Sequence, residues 1–155
     1  MHILIATDAQ WVLNEIQAVF GSSSTTIQVV TNGRHVSPAV AERTPDIAIL
    51  DMQVGSMGGM AITMDLRLDN SSGALPNVPI LMLLDREADV HMARRSGANG
   101  WIIKPLDALR LRKAVNAIVA GGCYAEGVPV PEAIVEEATA SVDETAEPAA
   151  DLLNQ

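Results

Sequence analysis

Only one cysteine, Cys123, occurs in the 155 residues, which excludes an internal disulfide and leaves stability to a hydrophobic core. Nowhere do about 18 uninterrupted apolar residues appear, so no membrane-spanning helix is expected. The chain does not open with a basic segment leading into an apolar stretch of signal-peptide length, and a cytoplasmic location is the expectation. Basic residues are missing beyond Lys113. Up to Gly121, ten lysines and arginines face eleven acids, a net charge of −1, whereas the last stretch carries eight acids, from Glu126 to Asp151, and a net charge of −8. A near-neutral body followed by an acidic tail repels nucleic acid, and no separate DNA-binding domain is expected at this length, so direct nucleic-acid binding is not expected.

With 48% apolar residues, the chain has enough to bury the core of one domain. Its first 120 residues alternate short β-like runs with helical spacing. Strands are expected at His2–Thr7, Thr26–Val30, Asp46–Leu50, Val78–Leu84 and Trp101–Ile103. The first, third and fourth are nearly continuous apolar runs, the mark of strands covered on both faces. Val12, Ile16, Val19 and Phe20 make one helical stripe, and Leu111, Val115, Ile118 and Val119 another. Asp107 is placed to cap the last helix, which Gly121–Gly122 should stop. Five β/α repeats with such connections predict right-handed crossovers and a doubly wound α/β fold, a (βα)5 parallel sheet with helices on both faces. From Gly122 onward, Pro129, Pro131 and Pro148 stand among Ala, Glu, Val and Thr, and no aromatic follows Tyr124. The expected organisation is a domain over residues 1–121 and an acidic, largely disordered C-terminal tail over 122–155, with at most a short helix around Pro131–Thr139.

In open α/β sheets, ligands sit beyond the carboxyl ends of the strands. Asp8 follows Ile-Leu-Ile-Ala-Thr, Asp51 follows Ile-Ala-Ile-Leu, and Lys104 follows Trp-Ile-Ile and precedes Pro105. Two carboxylates and one ammonium should therefore meet on one edge. That trio suits a magnesium ion, which takes one or two carboxylates, several waters and a phosphate oxygen, with the lysine on another phosphate oxygen. A carboxylate so placed can attack phosphorus and form an acyl phosphate. Taken singly, Asp8 is as well explained by a helix cap, and Lys104 by a solvated surface.

Asp46-Ile-Ala-Ile-Leu-Asp51, Gly59, Val78-Pro-Ile-Leu-Met and Ser96-Gly-Ala-Asn-Gly-Trp-Ile-Ile-Lys-Pro105 resemble the receiver domains of bacterial two-component response regulators. The likeness runs in order, and at the family's spacing, from Met1 to Ala120. It implies a flavodoxin-like sheet of order 2-1-3-4-5. It makes Asp51 the phosphoryl acceptor, Asp8 a direct Mg2+ ligand together with Asp51, Gln53 a ligand through its backbone carbonyl, and Lys104 the phosphate contact. The bond before Pro105 is usually cis in such domains. The resemblance further implies a phosphoprotein fed by a sensor histidine kinase or phosphotransfer protein. It would not be an enzyme beyond Mg2+-dependent self-phosphorylation and dephosphorylation at Asp51, and it would act on an output protein. Partner contacts, and a homodimer through helices 4 and 5, would use Arg94, Arg95, Arg110 and Lys113.

Three positions depart from the pattern. Thr7 replaces the first of two adjacent acids, which should weaken metal binding. Leu84 replaces the Ser or Thr at the end of strand four and offers no donor to a phosphoryl group. Trp101 stands at the switch aromatic, where a bulky indole is expected to stay half-buried with its N–H bonded at the rim. Two readings follow: an atypical single-domain receiver, or a phosphorylation-independent pseudo-receiver acting as an interaction module. A flavin or nucleotide carrier is disfavoured, since Thr7-Asp-Ala-Gln-Trp11 contains no glycine for a phosphate loop. His2, His35 and His91 lack ligand spacing. Met57, Met60 and Met64 read as core filler.

Overall fold

The computed structural model describes residues 1–127. In it, β1 (His2–Ala6), β2 (Thr26–Val30), β3 (Ile47–Asp51), β4 (Ile80–Leu84) and β5 (Gly100–Ile103) form one sheet of order β2-β1-β3-β4-β5. Every neighbouring pair is parallel. The crossovers are α1 (Gln10–Phe20), α2 (Val36–Glu42), α3 (Gly59–Ser71) and α4 (Val90–Ser96), with α5 (Ala108–Val119) closing the series. Short 3₁₀ turns, Gly33–His35 and Glu87–Asp89, lead into α2 and α4. The flavodoxin-like order expected above is the one observed.

Alternation along the strands divides the core. Ile3, Ile5, Ile47, Ile49, Leu81 and Leu83 pack with Val12 and Ile16 of α1 and with Leu111, Val115 and Ile118 of α5. Leu4, Ala6, Ala48, Leu50 and Ile80 pack on the opposite face with Val36 and Val40 of α2 and Ile62 and Leu66 of α3. Met82 and Leu84 join Ala93 and Trp101 in a smaller cluster. Since β1, β3 and β4 are buried along their whole length, a one-residue slip would exchange all these contacts, and the register is strongly specified.

The borders differ slightly from expectation, for local reasons. β4 begins at Ile80 rather than Val78, since Pro79 has no N–H for a ladder. β3 begins after Asp46, whose carboxylate accepts a hydrogen bond from the His2 amide (2.6 Å), and it runs through Asp51, which pairs with Leu83. Asp107 caps α5, its carboxylate accepting from the Arg110 amide (2.9 Å). That bond, with the Arg110 side chain alongside, holds the Asp107 carboxyl below the usual range. Past α5, Gly121 adopts φ +90°, where glycine carries no Cβ penalty. The Lys104–Pro105 bond is cis.

The chain does not leave the surface at Gly122. Tyr124 forms a parallel bridge with Gly100, and the segment to Gly127 packs on β5, so packed structure extends past the expected boundary at residue 121. Residues 128–155, including the expected helix around Pro131–Thr139, lie outside the described residues. Among the described residues, no helix is long and apolar enough to cross a membrane.

Candidate functional site

Register builds the site. β1 and β3 are aligned with Ala6 opposite Leu50, so Thr7 arrives beside Asp51 at the carboxyl edge. β4 and β5 are aligned with Leu84 opposite Ile103, which brings Asp85 and Lys104 to the same edge. Asp51 is 1% exposed, and both its oxygens are engaged. Oδ1 accepts from Lys104 Nζ (2.8 Å) and from the Gln53 amide (3.1 Å), while Oδ2 accepts from the Thr7 hydroxyl (2.8 Å). Lys104 Nζ also donates to Asp85 Oδ1 (3.1 Å) and lies 5.6 Å from the Trp11 ring centroid. One ammonium thus bridges two carboxylates beside an aromatic face.

Asp8 stands at the same edge, exposed, with Oδ2 accepting from the Gly55 amide (3.1 Å). Gly55 leaves little room there, since a Cβ would sit 3.1 Å from that oxygen. The loop carrying Gly55 is itself held by backbone contact: the Gly33 amide donates to the Gly55 carbonyl (3.0 Å). Gln53 is exposed beside Asp51.

Leu84 does not line an open hydroxyl position. It is fully buried with Met82, Ala93 and Trp101, and Met52, Val90 and Ile103 pack against that cluster. Trp101 is 6% exposed, and its indole N–H donates to the Glu126 carbonyl (2.7 Å). Arg94 lies over the same ring at 5.8 Å. Arg94, Arg95 and Lys113 are exposed on α4 and α5. Arg110, grouped with them on sequence, is instead turned inward. It donates to Glu126, Asp107 and the carbonyls of Pro105 and Ile103, because the chain after α5 brings an acid onto it. Met64 is likewise not core filler: it is 52% exposed and lines, with Met57, Leu68 and Arg95, a groove of about 690 Å³ between α3 and α4. His35 and His91 are exposed.

Sequence reasoning brought Asp51, Lys104 and Asp8 to one edge, but missed the partners that hold them. Asp85 directly follows the β4 run, the rule that found the other three, and was legible. The hydrogen bond from Thr7 to Asp51 was not, nor was Glu126, which lies in a stretch of tail-like composition. Burial pushes the Glu126 carboxyl up, but hydrogen bonds from Arg110, the Ile103 amide and Tyr124 outweigh it and hold the group below its usual range.

The sequence pattern of the response regulator receiver domain matches residues 3–116. The chain belongs to this family. Among curated relatives, the receiver is 28% identical over 120 residues to protein PilH of Pseudomonas aeruginosa, covering 77% of this chain and 98% of PilH. It is 29% identical over 118 residues to the DNA-binding response regulator MtrA of Mycobacterium tuberculosis, covering 75% of this chain and 49% of that longer protein. Among solved structures, it resembles the receiver domain of the sensor histidine kinase PA1611 from P. aeruginosa, whose magnesium ion is coordinated in the active site cleft. There the TM-score is 0.67 at 19% identity, over 77% of this chain and 97% of that one.

This receiver has a reduced donor set for a divalent ion. Among the described residues, no group of three His, Cys, Asp or Glu side chains could hold a metal. The carboxylates of Asp51 and Asp8 remain, with the backbone at Gln53 and the neutral Thr7 where another acid would stand. Such a set fits a magnesium ion that keeps several waters.

Proposed function

We propose that this receiver accepts a phosphoryl group on Asp51 and signals through protein contacts. The observation that carries the reading is the buried Asp51 carboxylate at a strand end, 2.8 Å from Lys104 Nζ. Receivers generally take their phosphoryl group from histidine kinases or phosphotransfer proteins, and such a donor is the expected partner here. An Asp51 oxygen attacks the phosphorus of the donor's phosphohistidine. The P–N bond breaks, its electron pair stays on the imidazole, which takes up a proton, and an acyl phosphate forms on Asp51. Lys104, released from Oδ1, follows the charge onto a phosphoryl oxygen, and the Thr7 hydroxyl and Gln53 amide hold the carboxylate in line. Asp8, Asp51 and the Gln53 carbonyl would hold a magnesium ion, which would supply charge neutralisation during transfer. Asp85 competes for Lys104, and Leu84 gives the incoming group no hydrogen bond, so transfer should be slow. The output protein, or a second copy, would meet α4, β5 and α5 at Arg94, Arg95 and Lys113.

Incubation with acetyl phosphate and magnesium, read by intact mass, tests this. One phosphoryl group should appear on the wild type and none on Asp51→Asn. An unmodified wild type would instead support the second reading, a phosphorylation-independent interaction module. Leu84 in the core and the neutral Thr7 against Asp51 favour that alternative.

A further inference from the structure

β5 is the edge strand of the sheet, and the edge of a sheet offers unpaired N–H and C=O groups to any extended chain. Here the protein's own segment after α5 takes them. The Tyr124 amide donates to the Asn99 carbonyl (3.3 Å) and the Trp101 amide to the Tyr124 carbonyl (2.9 Å). The next edge donor, the Ile103 amide, is met by the Glu126 side chain (Oε2, 3.0 Å). Arg110 closes on the same carboxylate, with Nε 2.7 Å from Oε1 and its Nη2 on Oε2, and the Tyr124 hydroxyl donates to Oε1 (3.1 Å). The Trp101 indole N–H takes the Glu126 carbonyl (2.7 Å). Gly100 makes the close approach feasible, because a Cβ there would lie 2.4 Å from the Tyr124 carbonyl oxygen.

The receiving groups all belong to the folded body: two edge amides, one carbonyl, an indole N–H and a guanidinium fork suited to a carboxylate. The occupant is held by these polar contacts and by the Tyr124 side chain, which packs against the rim of the main core cluster. Tyr124 and Glu126 are half-buried, while Cys123, Ala125 and Gly127 are exposed. Its release would leave all five strands and their core clusters intact, as expected of a unit that opens locally. Strand addition to such an edge is a recurrent mode of peptide recognition.

We propose that the β5 edge, Trp101 and Arg110 form a binding groove for an extended acidic peptide with an aromatic residue two positions before a glutamate, and that Tyr124–Glu126 is its displaceable occupant in cis. The groove operates whether or not Asp51 is phosphorylated. A tethered occupant competes at high effective concentration, so the wild-type chain takes a free peptide poorly.

The test uses the full chain carrying Tyr124→Ser with Glu126→Ala, and a labelled peptide copying residues 121–130 with serine for Cys123. By fluorescence anisotropy, the variant should bind the peptide at least tenfold more tightly than the wild type does. Glutamine for glutamate in the peptide should abolish that gain. Equal binding to both proteins, or indifference to the glutamine, overturns the proposal. Hydrogen exchange on the wild type decides independently of how the variant folds. The amides of Trp101 and Ile103 should exchange through local opening, faster than that of Met82 in β4. Exchange at the Met82 rate would make the segment a fixed part of the fold and end the idea.

Discussion

Replacing Lys104 by Met keeps the aliphatic stem and removes the ammonium, leaving Asp51 nearly solvent-free with only the Thr7 hydroxyl and Gln53 amide as donors. Breaking a buried ion pair from one side costs about 3–5 kcal/mol. The side chains of Asp51 and Lys104 are 2% and 11% exposed, so screening trims this little, whereas the bond to the 36% exposed Asp85 adds under about 1 kcal/mol. We expect a loss of about 3 kcal/mol, or roughly 10 °C in Tm for a domain of this size. Asp51→Asn removes the charge but keeps the shape, and Lys104 retains Asp85, so its cost should stay near about 1 kcal/mol. The double variant should then be more stable than the sum of the two losses implies, by about 2 kcal/mol. Urea unfolding followed by circular dichroism measures all four corners of the cycle. Additive losses, or a Lys104→Met protein as stable as the wild type, would refute the claim that this pair is buried and coupled.

Glu126 titrates below its usual range when folded, so its contribution is fully present above the unfolded-state value, about 4.3, and is lost as the pH falls through the folded one. Glu126→Gln should cost about 1–2 kcal/mol at pH 7 and much less at pH 3, read by thermal unfolding at both; a gap that persists in acid argues against the ion pair. Gly33→Ala would place a methyl 2.0 Å from the Met57 carbonyl oxygen, where backbone must move, and should cost about 2–3 kcal/mol in urea unfolding. Gly73→Ala, with nothing within 4 Å but φ +81°, should cost only the backbone strain of about 1 kcal/mol; equal costs would contradict the packing argument.

Much of this architecture was legible because burial on both faces is written locally. β1, β3 and β4 announce themselves as continuous apolar runs, and Asp51 and Lys104 stand out as the charged residues that end such runs. Leu84 and Trp101 were visible as departures, but their burial against each other, with Ala93 of α4 in the same cluster, was not. Arg110 shows why: as a residue of α5 it reads as a solvated helical cation. It becomes an internal clamp only because Glu126 returns sixteen positions later onto an open strand edge.

The chain by itself determined the alternation of strands and helices, the faces that turn inward and the identity of the charged residues at the strand ends. Tertiary structure alone decided that Lys104 is shared between Asp51 and Asp85, that Thr7 donates to Asp51, and that the segment after α5 closes the edge of β5. Periodicity records which side of an element meets the core. Contacts between residues distant in sequence depend on strand order and register, which come into being only when the whole sheet assembles.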